Sequence, residues 1–306
     1  ALLKSHLKET YTDEQRMLRI STLLGVREGN FIVSEDDLTF RRFAQEDYPT
    51  PIFYAYSNLD NHSKDVALES EDQQDWTVAC SLWGLNFSVP VPLGALIPKG
   101  YDGLLVAGRC LGVDHDMAGC VRMKRDMQKG GEAAAVAASL AIQHDIPLKD
   151  VPLSDLVPIL QRTGCYDGKR GVIYKEIINP KEEESSPIIR WLEDKTEIKE
   201  GLASEKPGIA IWSAKRLANK IAPDLQDWLK SDDEQLRKHS AFALALMEHE
   251  AAMPVLRQMV LERDPYIPRT SRKYNQARGY TAIYLLGKLK DREMVSEFID
   301  ILEKPQ

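Results

Sequence analysis

Gly103-Leu-Leu-Val-Ala-Gly-Arg109 is the most informative stretch of this sequence, and Gly130-Gly-Glu-Ala-Ala-Ala-Val-Ala-Ala138 follows it. An apolar run that ends in glycine is typical of a buried strand that meets a tight turn. The second stretch belongs to a predicted helix from about residue 121 to 143. Small side chains let such a helix lie close to a neighbouring element. We therefore predict a buried strand, a turn and a closely packed helix.

Two linked signatures carry a resemblance to a known family. The first runs from Pro92 to Leu111 and contains Gly108-Arg109, and the second runs from Ala118 to Ala138. In this order and at this spacing they resemble bacterial FAD-dependent oxidoreductases, over roughly residues 15 to 165. The resemblance implies the cofactor FAD and hydride transfer between a small-molecule substrate and flavin N5, with the protein supplying orientation and electrostatics.

The resemblance assigns cofactor-binding roles to five residues: Gly108, Arg109, Val121, Arg122 and Gly131. In the family, the strand ends at a Gly-Arg or Gly-Asp turn beneath the cofactor, and the next helix points its amino end at the flavin. Glycine permits close approach of the backbone, and arginine offers a permanently charged fork for phosphate or an anionic substrate. A helix amino end favours the negative charge of reduced flavin. The small residues that follow are expected to pack against a neighbouring dinucleotide fold.

Two residues are candidates for catalysis. Arg27 lies in a turn that resembles a family segment leading back to the flavin, where it would bind substrate anion or flavin while Glu28 orients it. A surface ion pair is the equally weighted alternative. His115 lies between Asp114 and Asp116, and two neighbouring carboxylates would raise its affinity for a proton, as a proton relay requires. The alternative is a loop histidine with only local hydrogen bonds.

One element of such an enzyme is missing from this sequence. A flavoprotein of this class needs a strand–Gly-x-Gly-x-x-Gly–helix unit for the adenosine diphosphate, and no such spacing of glycines occurs here. The chain also opens without Met, in the middle of a helical pattern over residues 4–24. We expect a carboxyl-terminal portion that binds FAD weakly or not at all by itself, with the missing amino-terminal half as its partner.

The organisation along the chain predicts two domains. Residues 1–178 are predicted to be α+β, the carboxyl-terminal part of an FAD-binding α/β flavoprotein with a strand-rich substrate side. Residues 179–190 combine prolines, serines and charges, which predicts a linker. Residues 191–306 are predicted to form an all-α, HEAT-like repeat domain. We expect residues 1–178 to fold without the repeats.

The repeat prediction rests on a recurring pattern of a basic residue followed by small or apolar residues four and eight positions later. The pattern starts at Lys206, Arg237 and Arg278, and a second apolar helix follows each time. Small residues let one helix approach its neighbour, and the bulky side chains of the second helix cover them. The runner-up function follows from this part of the chain, namely a protein-binding module in which the flavin half is vestigial.

Composition argues against three other classes of protein. The net charge of −7 does not favour nucleic acid, so the basic and aromatic loop at 263–278 is a weak candidate for that role. No apolar stretch is long enough to favour a membrane span. The four cysteines form no CxxC motif and no Cys/His cluster, which predicts buried thiols and no metal site. The substrate and the cellular location are not indicated.

Overall fold

A computed structural model describes residues 28–60, 69–166, 191–271 and 275–304. The predicted opening helix at 4–24 and the predicted linker at 179–190 lie outside these ranges, and so does Arg27. The described part is mostly helical with a small sheet, which is consistent with the predicted α+β class.

The first part of the chain contains five α-helices among the described residues. They are α1 (Phe40–Gln45), α2 (Glu71–Gln74), α3 (His115–Val121), α4 (Lys124–His144) and α5 (Leu153–Thr163). A π-helical turn over Asp75–Ala79 continues directly from α2. Only α4 is long, and it is the central helix of this part, because it contacts both α5 and the sheet.

The described sheet has two antiparallel strands, β1 (Pro51–Ser57) and β2 (Phe87–Pro92). Pro90 of β2 lies opposite Tyr54 of β1, where the backbone groups of Tyr54 face away from β2, so the proline costs no hydrogen bond between the strands. The Tyr54 carbonyl accepts a hydrogen bond from Nζ of Lys129 on α4, at 3.2 Å. A side chain of α4 therefore provides a hydrogen bond to the edge of β1 that does not face β2, as buried backbone groups require.

Helices make up the second part of the chain where the sequence pattern predicts them. They are α6 (Lys195–Leu202), α7 (Gly208–Leu217), α8 (Ala222–Trp228), α9 (Glu234–Leu246), α10 (Met253–Leu261), α11 (Arg278–Lys288) and α12 (Val295–Glu303). The predicted pairing is different, because α6 packs on α7, α8 on α9 and α10 on α11. The small residues of the pattern are buried, among them Ala210, Ala241 and Ala282. The helices are confirmed, while their HEAT-like character stays a prediction.

Both parts of the chain contribute to one hydrophobic core. Trp76 in the π-helical turn is fully buried. Its ring centroid lies 5.7 Å from that of Trp191 and 5.2 Å from that of Trp212. A Cβ at Gly208 would lie 2.1 Å from the carbonyl oxygen of Cys80, so the start of α7 also packs against the first part. This shared core argues against our expectation that residues 1–178 fold without the repeats, and the domain division itself stays a prediction.

The cysteines only partly follow the prediction of buried thiols. All four are free; Cys80, Cys120 and Cys165 are buried, whereas Cys110 is exposed. Cys110 departs from the prediction because it follows the exposed turn at Gly108 and Arg109. None of the helices in the described ranges could cross a membrane.

A buried histidine makes the helical part sensitive to acid. Nδ1 of His239, on α9, lies 2.7 Å from the carbonyl oxygen of Leu202, and burial lowers the pKa of its side chain from 6.5 to about 4. Between these two values the unfolded chain binds more protons than the folded one, so stability present above pH 6.5 is lost as the pH falls towards 4. We expect the free energy of unfolding, measured by urea titration, to be about 2 kcal/mol lower at about pH 5 than at about pH 7 from this residue.

Two variants isolate the contribution of His239. The His239→Gln variant keeps an amide donor for Leu202 but cannot titrate, so its free energy of unfolding should depend less on pH than that of the unaltered protein. His144 is exposed at the end of α4, and His144→Gln should leave the pH dependence intact. Equal slopes for His239→Gln and the unaltered protein would contradict the assignment.

Candidate functional site

The apolar run from Gly103 to Gly108 is not a strand. It pairs with neither β1 nor β2 and has no regular secondary structure, and Leu104 is 47% exposed. The Val106 N–H donates to the Leu96 carbonyl at 2.8 Å, which holds the run against the chain without forming a ladder. The prediction of a buried strand is wrong, because a buried strand needs a partner for its backbone groups and no described strand lies beside this run.

The turn at Gly108 forms where the sequence predicts it. Gly108 has a φ of +116°, a conformation that favours glycine over residues with a Cβ. A Cβ added at this position would have no atom within 4 Å. One side of the turn is therefore open, and any larger residue would be strained and would occupy that open side.

The predicted helix from residue 121 to 143 is in fact two helices. Asp114 caps the first, α3, by accepting a hydrogen bond from the Met117 N–H at 2.8 Å. Val121 is therefore the last residue of α3 and Arg122 follows it, so neither stands at a helix amino end. The amino end that the prediction assigned to them lies at Lys124, where α4 begins.

The structure brings the Gly108 turn and the beginning of α4 together. Nε of Arg109 donates a hydrogen bond to the carbonyl oxygen of Arg122 at 3.3 Å, and Arg122 lies two residues before the first residue of α4, Lys124. No side chain caps this helix, because the capping position is occupied by Met123. Its amino end therefore retains the partial positive charge that attracts anions.

The small-residue stretch packs mainly within this chain. Gly130, Ala133 and Ala137 are buried, and a Cβ at Gly130 would lie 3.5 Å from the Phe53 ring of β1. Gly131 lies on an open face of the helix, since a Cβ there would meet no atom within 4 Å. It lies about 10 Å along the axis from the start of α4, so it does not belong to the amino end of this helix.

His115 is held by a carboxylate from a distant part of the chain. Its Nδ1 hydrogen-bonds to Oε1 of Glu28, and Oε2 of Glu28 lies 3.2 Å from Nη1 of Arg122. Nη2 of Arg122 donates to the carbonyl oxygen of Asp60 at 2.7 Å. His115 Nε2 is buried, with no hydrogen-bond partner in the part of the chain that the structure describes. Four charged or titratable side chains thus form one network at the two ends of α3.

The two aspartates beside His115 in sequence are engaged elsewhere. Asp114 accepts hydrogen bonds from the backbone of Met117 and Phe40, and Asp116 accepts from the Ser70 N–H. Burial raises the pKa of Asp114 to about 6 and also raises the pKa of Asp116. Contrary to the prediction, the imidazole is therefore not flanked by these two carboxylates but contacts Glu28 directly.

Sequence reasoning reached part of this network and missed the rest. Arg27 lies outside the described residues, so its role stays a prediction. Glu28 was expected to orient Arg27, whereas its described contacts are with His115 and Arg122. Asp60 was not predicted, since no motif surrounds it. No group of three His, Cys, Asp or Glu side chains within the described ranges could hold a metal ion.

Comparison with known proteins identifies the family. The model of the family described as FAD dependent oxidoreductase matches residues 2–162, which is just over half of the chain. The match includes Gly108, Arg109 and the whole of α3 and α4. Neither the curated proteins nor the solved structures contain a match. On the strength of the family match, this chain belongs to the FAD-dependent oxidoreductases.

Proposed function

We propose that this protein binds FAD beside the turn at Gly108 and Arg109 and oxidises or reduces a small-molecule substrate there. The observation that carries the proposal is the hydrogen bond from Arg109 to the Arg122 carbonyl, which holds the turn next to the amino end of α4. When bound, FAD supplies the site's capacity to exchange a hydride with the substrate. The remaining chemistry belongs to residues of this chain.

The residues at the turn suit the cofactor. The open side of Gly108 leaves room for a ligand close to the backbone. Arg109 is exposed, and its guanidinium carries a permanent charge that matches a phosphate group. The uncapped amino end of α4 adds a partial positive charge nearby. Together these features favour a ligand that carries negative charge, as the diphosphate of FAD does. We also propose cofactor-binding roles for Val121, Arg122 and Gly131.

His115 is the proposed proton-exchanging group. An imidazole can take up or release a proton near neutral pH without a metal ion. Its Nε2 has no hydrogen-bond partner among the described residues, which supports this role, while Nδ1 is occupied by Glu28. Arg27 is proposed to bind an anionic group of the substrate or of the flavin.

We propose that a glycine-rich βαβ unit supplies the other half of the FAD site. This sequence lacks the glycine spacing that holds the adenosine diphosphate, so the chain by itself should bind FAD weakly. The first part of the chain also exposes large apolar side chains: Val33 is 70% exposed, and Leu104 lies in a run without a strand partner. Burial of such surface against a second unit would stabilise the complete protein.

Replacing Gly108 by tryptophan is expected to remove flavin from the intact protein, including any dinucleotide-binding unit. The large side chain would strain a backbone at a φ of +116° and fill the open side of the turn. Flavin content is measured by the visible absorbance of the purified protein.

Gly103→Trp is the matched control for this test. Gly103 also has a positive φ, +69°, and a Cβ there would likewise meet no atom within 4 Å. It lies in the same loop but is not adjacent to Arg109. We expect Gly103→Trp to retain flavin; if Gly108→Trp retains it equally well, Gly108 is not part of the site.

The helical pairs favour a second candidate function. Val295, Ile299 and Leu302 lie at helical spacing on α12 and are all exposed, and an exposed apolar stripe can dock another protein. In this alternative the chain is a binding module of HEAT-like repeats, and the flavin part is vestigial. An intact protein that purifies without flavin, under conditions in which it is folded, would favour this alternative over the oxidoreductase.

A further inference from the structure

Glu28 connects the two ends of α3. Its Oε1 contacts Nδ1 of His115, the first residue of the helix, and its Oε2 lies 3.2 Å from Nη1 of Arg122, just beyond the last residue. Residues seven positions apart lie on the same face of a helix, so one carboxylate can reach both. Because both of its oxygens are engaged, this carboxylate cannot turn away from the histidine without losing a second contact.

The contact determines which nitrogen of His115 carries a proton in the neutral ring. A carboxylate oxygen only accepts hydrogen bonds, so Nδ1 must be the protonated nitrogen. Nε2 is then the nitrogen with the lone pair, and it has no hydrogen-bond partner among the described residues. When Nε2 takes a proton, the donor keeps the electron pair of the broken bond and the ring becomes positively charged. Glu28 stabilises that charge at the opposite side of the ring.

Other charged groups around His115 act less directly. Asp114 and Asp116 belong to the same helix turn and accept backbone hydrogen bonds from other segments. Arg122 opposes a positive charge on the ring, although its own charge is shared between Glu28 and Asp60. Among the described residues, Glu28 is the carboxylate in direct contact with the imidazole.

We propose that Glu28 is a positioning residue that holds His115 in the tautomer whose Nε2 accepts the proton. The inference rests on the proposed function, in which His115 exchanges a proton with the substrate. It assigns Glu28 to the histidine rather than to Arg27, and it requires the network of Arg122 and Asp60 to hold the carboxylate in place. The same arrangement predicts that loss of Glu28 changes the tautomer of His115.

The test is nuclear magnetic resonance of the full-length protein labelled with ¹⁵N only at its histidines. The chain contains six histidines, and the His115→Gln variant identifies the signals of His115. In the unaltered protein we expect the neutral ring to carry its proton on Nδ1. In Glu28→Ala the proton should move towards Nε2, because the oxygen that accepts the hydrogen bond from Nδ1 is lost.

Three further variants sharpen the result. Glu28→Gln keeps an oxygen that can accept from Nδ1, so the tautomer should be retained. Glu28→Asp keeps a carboxylate on a shorter side chain and should retain the Nδ1 tautomer only in part. Glu35 is exposed and lies in the same segment, where its backbone N–H donates to the Ile97 carbonyl; Glu35→Gln should leave the tautomer unchanged. Circular dichroism shows whether each variant is folded, and Glu28→Asp carries the test if Glu28→Ala is not.

The result is independent of whether the proposed function holds. An unchanged tautomer in folded Glu28→Ala, or in folded Glu28→Asp where Glu28→Ala does not fold, would overturn the inference, even in a protein that carries flavin. A protein without flavin would instead count against the proposed function, and the tautomer of His115 could still be measured. Visible absorbance of the same samples separates the two cases.

Discussion

Replacing Trp76 by alanine is expected to lower the free energy of unfolding of the intact protein by about 3 to 5 kcal/mol. Trp76 is completely buried and packs edge-on against Phe40, with the ring centroids 5.4 Å apart. It also packs against Trp191 and Trp212 from the helical part. Its removal leaves a cavity between rings that belong to different segments, so the site cannot close by moving one side chain. Urea denaturation followed by circular dichroism measures the loss.

Trp228→Ala is the control for Trp76→Ala. Trp228 ends α8 and is only partly buried, so its truncation removes less apolar contact and should cost clearly less. A loss below about 1 kcal/mol for Trp76→Ala would show that the two parts of the chain do not depend on this core.

Changing Asp75 to asparagine should be nearly as destabilising. Asp75 is 1% exposed and is contacted by three side chains of the helical part. The Tyr284 hydroxyl donates to it at 2.7 Å, and the ammonium groups of Lys288 and Lys215 lie 2.7 and 2.9 Å from its oxygens. Asp75→Asn removes the buried carboxylate and leaves Lys215 with the partly exposed Asp72 and Lys288 with the exposed Glu71. Breaking a buried ion-pair cluster in this way costs about 3 kcal/mol. The measurement is again the free energy of unfolding in urea.

The pKa of Lys215 supports this expectation, and Asp72 provides the control. Burial by itself would lower the pKa of Lys215, but the charge of Asp75 and the hydrogen bonds to Asp72 and Asp75 raise it. Asp72 also binds Lys215, but its side chain is about one third exposed. Asp72→Asn should therefore cost less than about 1 kcal/mol. Equal losses of free energy of unfolding for the two substitutions would show that Asp75 contributes no more than an exposed ion pair does.

The same segment connects the helical part with the candidate site. Asp75 and Trp76 anchor the π-helical turn to the helix pairs, and Ser70, just before α2, donates its N–H to Asp116 on α3. His115 is the neighbour of Asp116 in that helix. A substitution that loosens the turn therefore removes support from the element that carries His115, without touching the histidine itself.

Local patterns predicted the elements whose stability depends on nearby residues. The helices after residue 191 form where the spacing of small and apolar residues places them, because helix periodicity repeats every few residues. The turn at Gly108 was also predictable, since its positive φ favours a residue without a Cβ. Asp114 signalled the start of α3 in principle, because an aspartate is a strong helix cap.

Contacts between distant segments could not be read from local patterns. Whether the run Gly103–Gly108 becomes a buried strand depends on a neighbouring strand, and the described chain has none beside it. Glu28 and His115 meet across 87 positions of sequence, and Trp76 finds its partners in a part of the chain that the helical pattern predicts to be a separate domain.

The amino-acid sequence by itself determined the positions of the helices after residue 191, the glycine turn and the family, because each depends on residues that are close together in the chain. Only the tertiary structure decided that Glu28 binds His115, that α3 and α4 are separate helices around Arg122, and that both parts of the chain share a core. These features depend on which surfaces meet after the chain has folded, and hydrophobic burial and charge pairing select those surfaces through space rather than along the sequence.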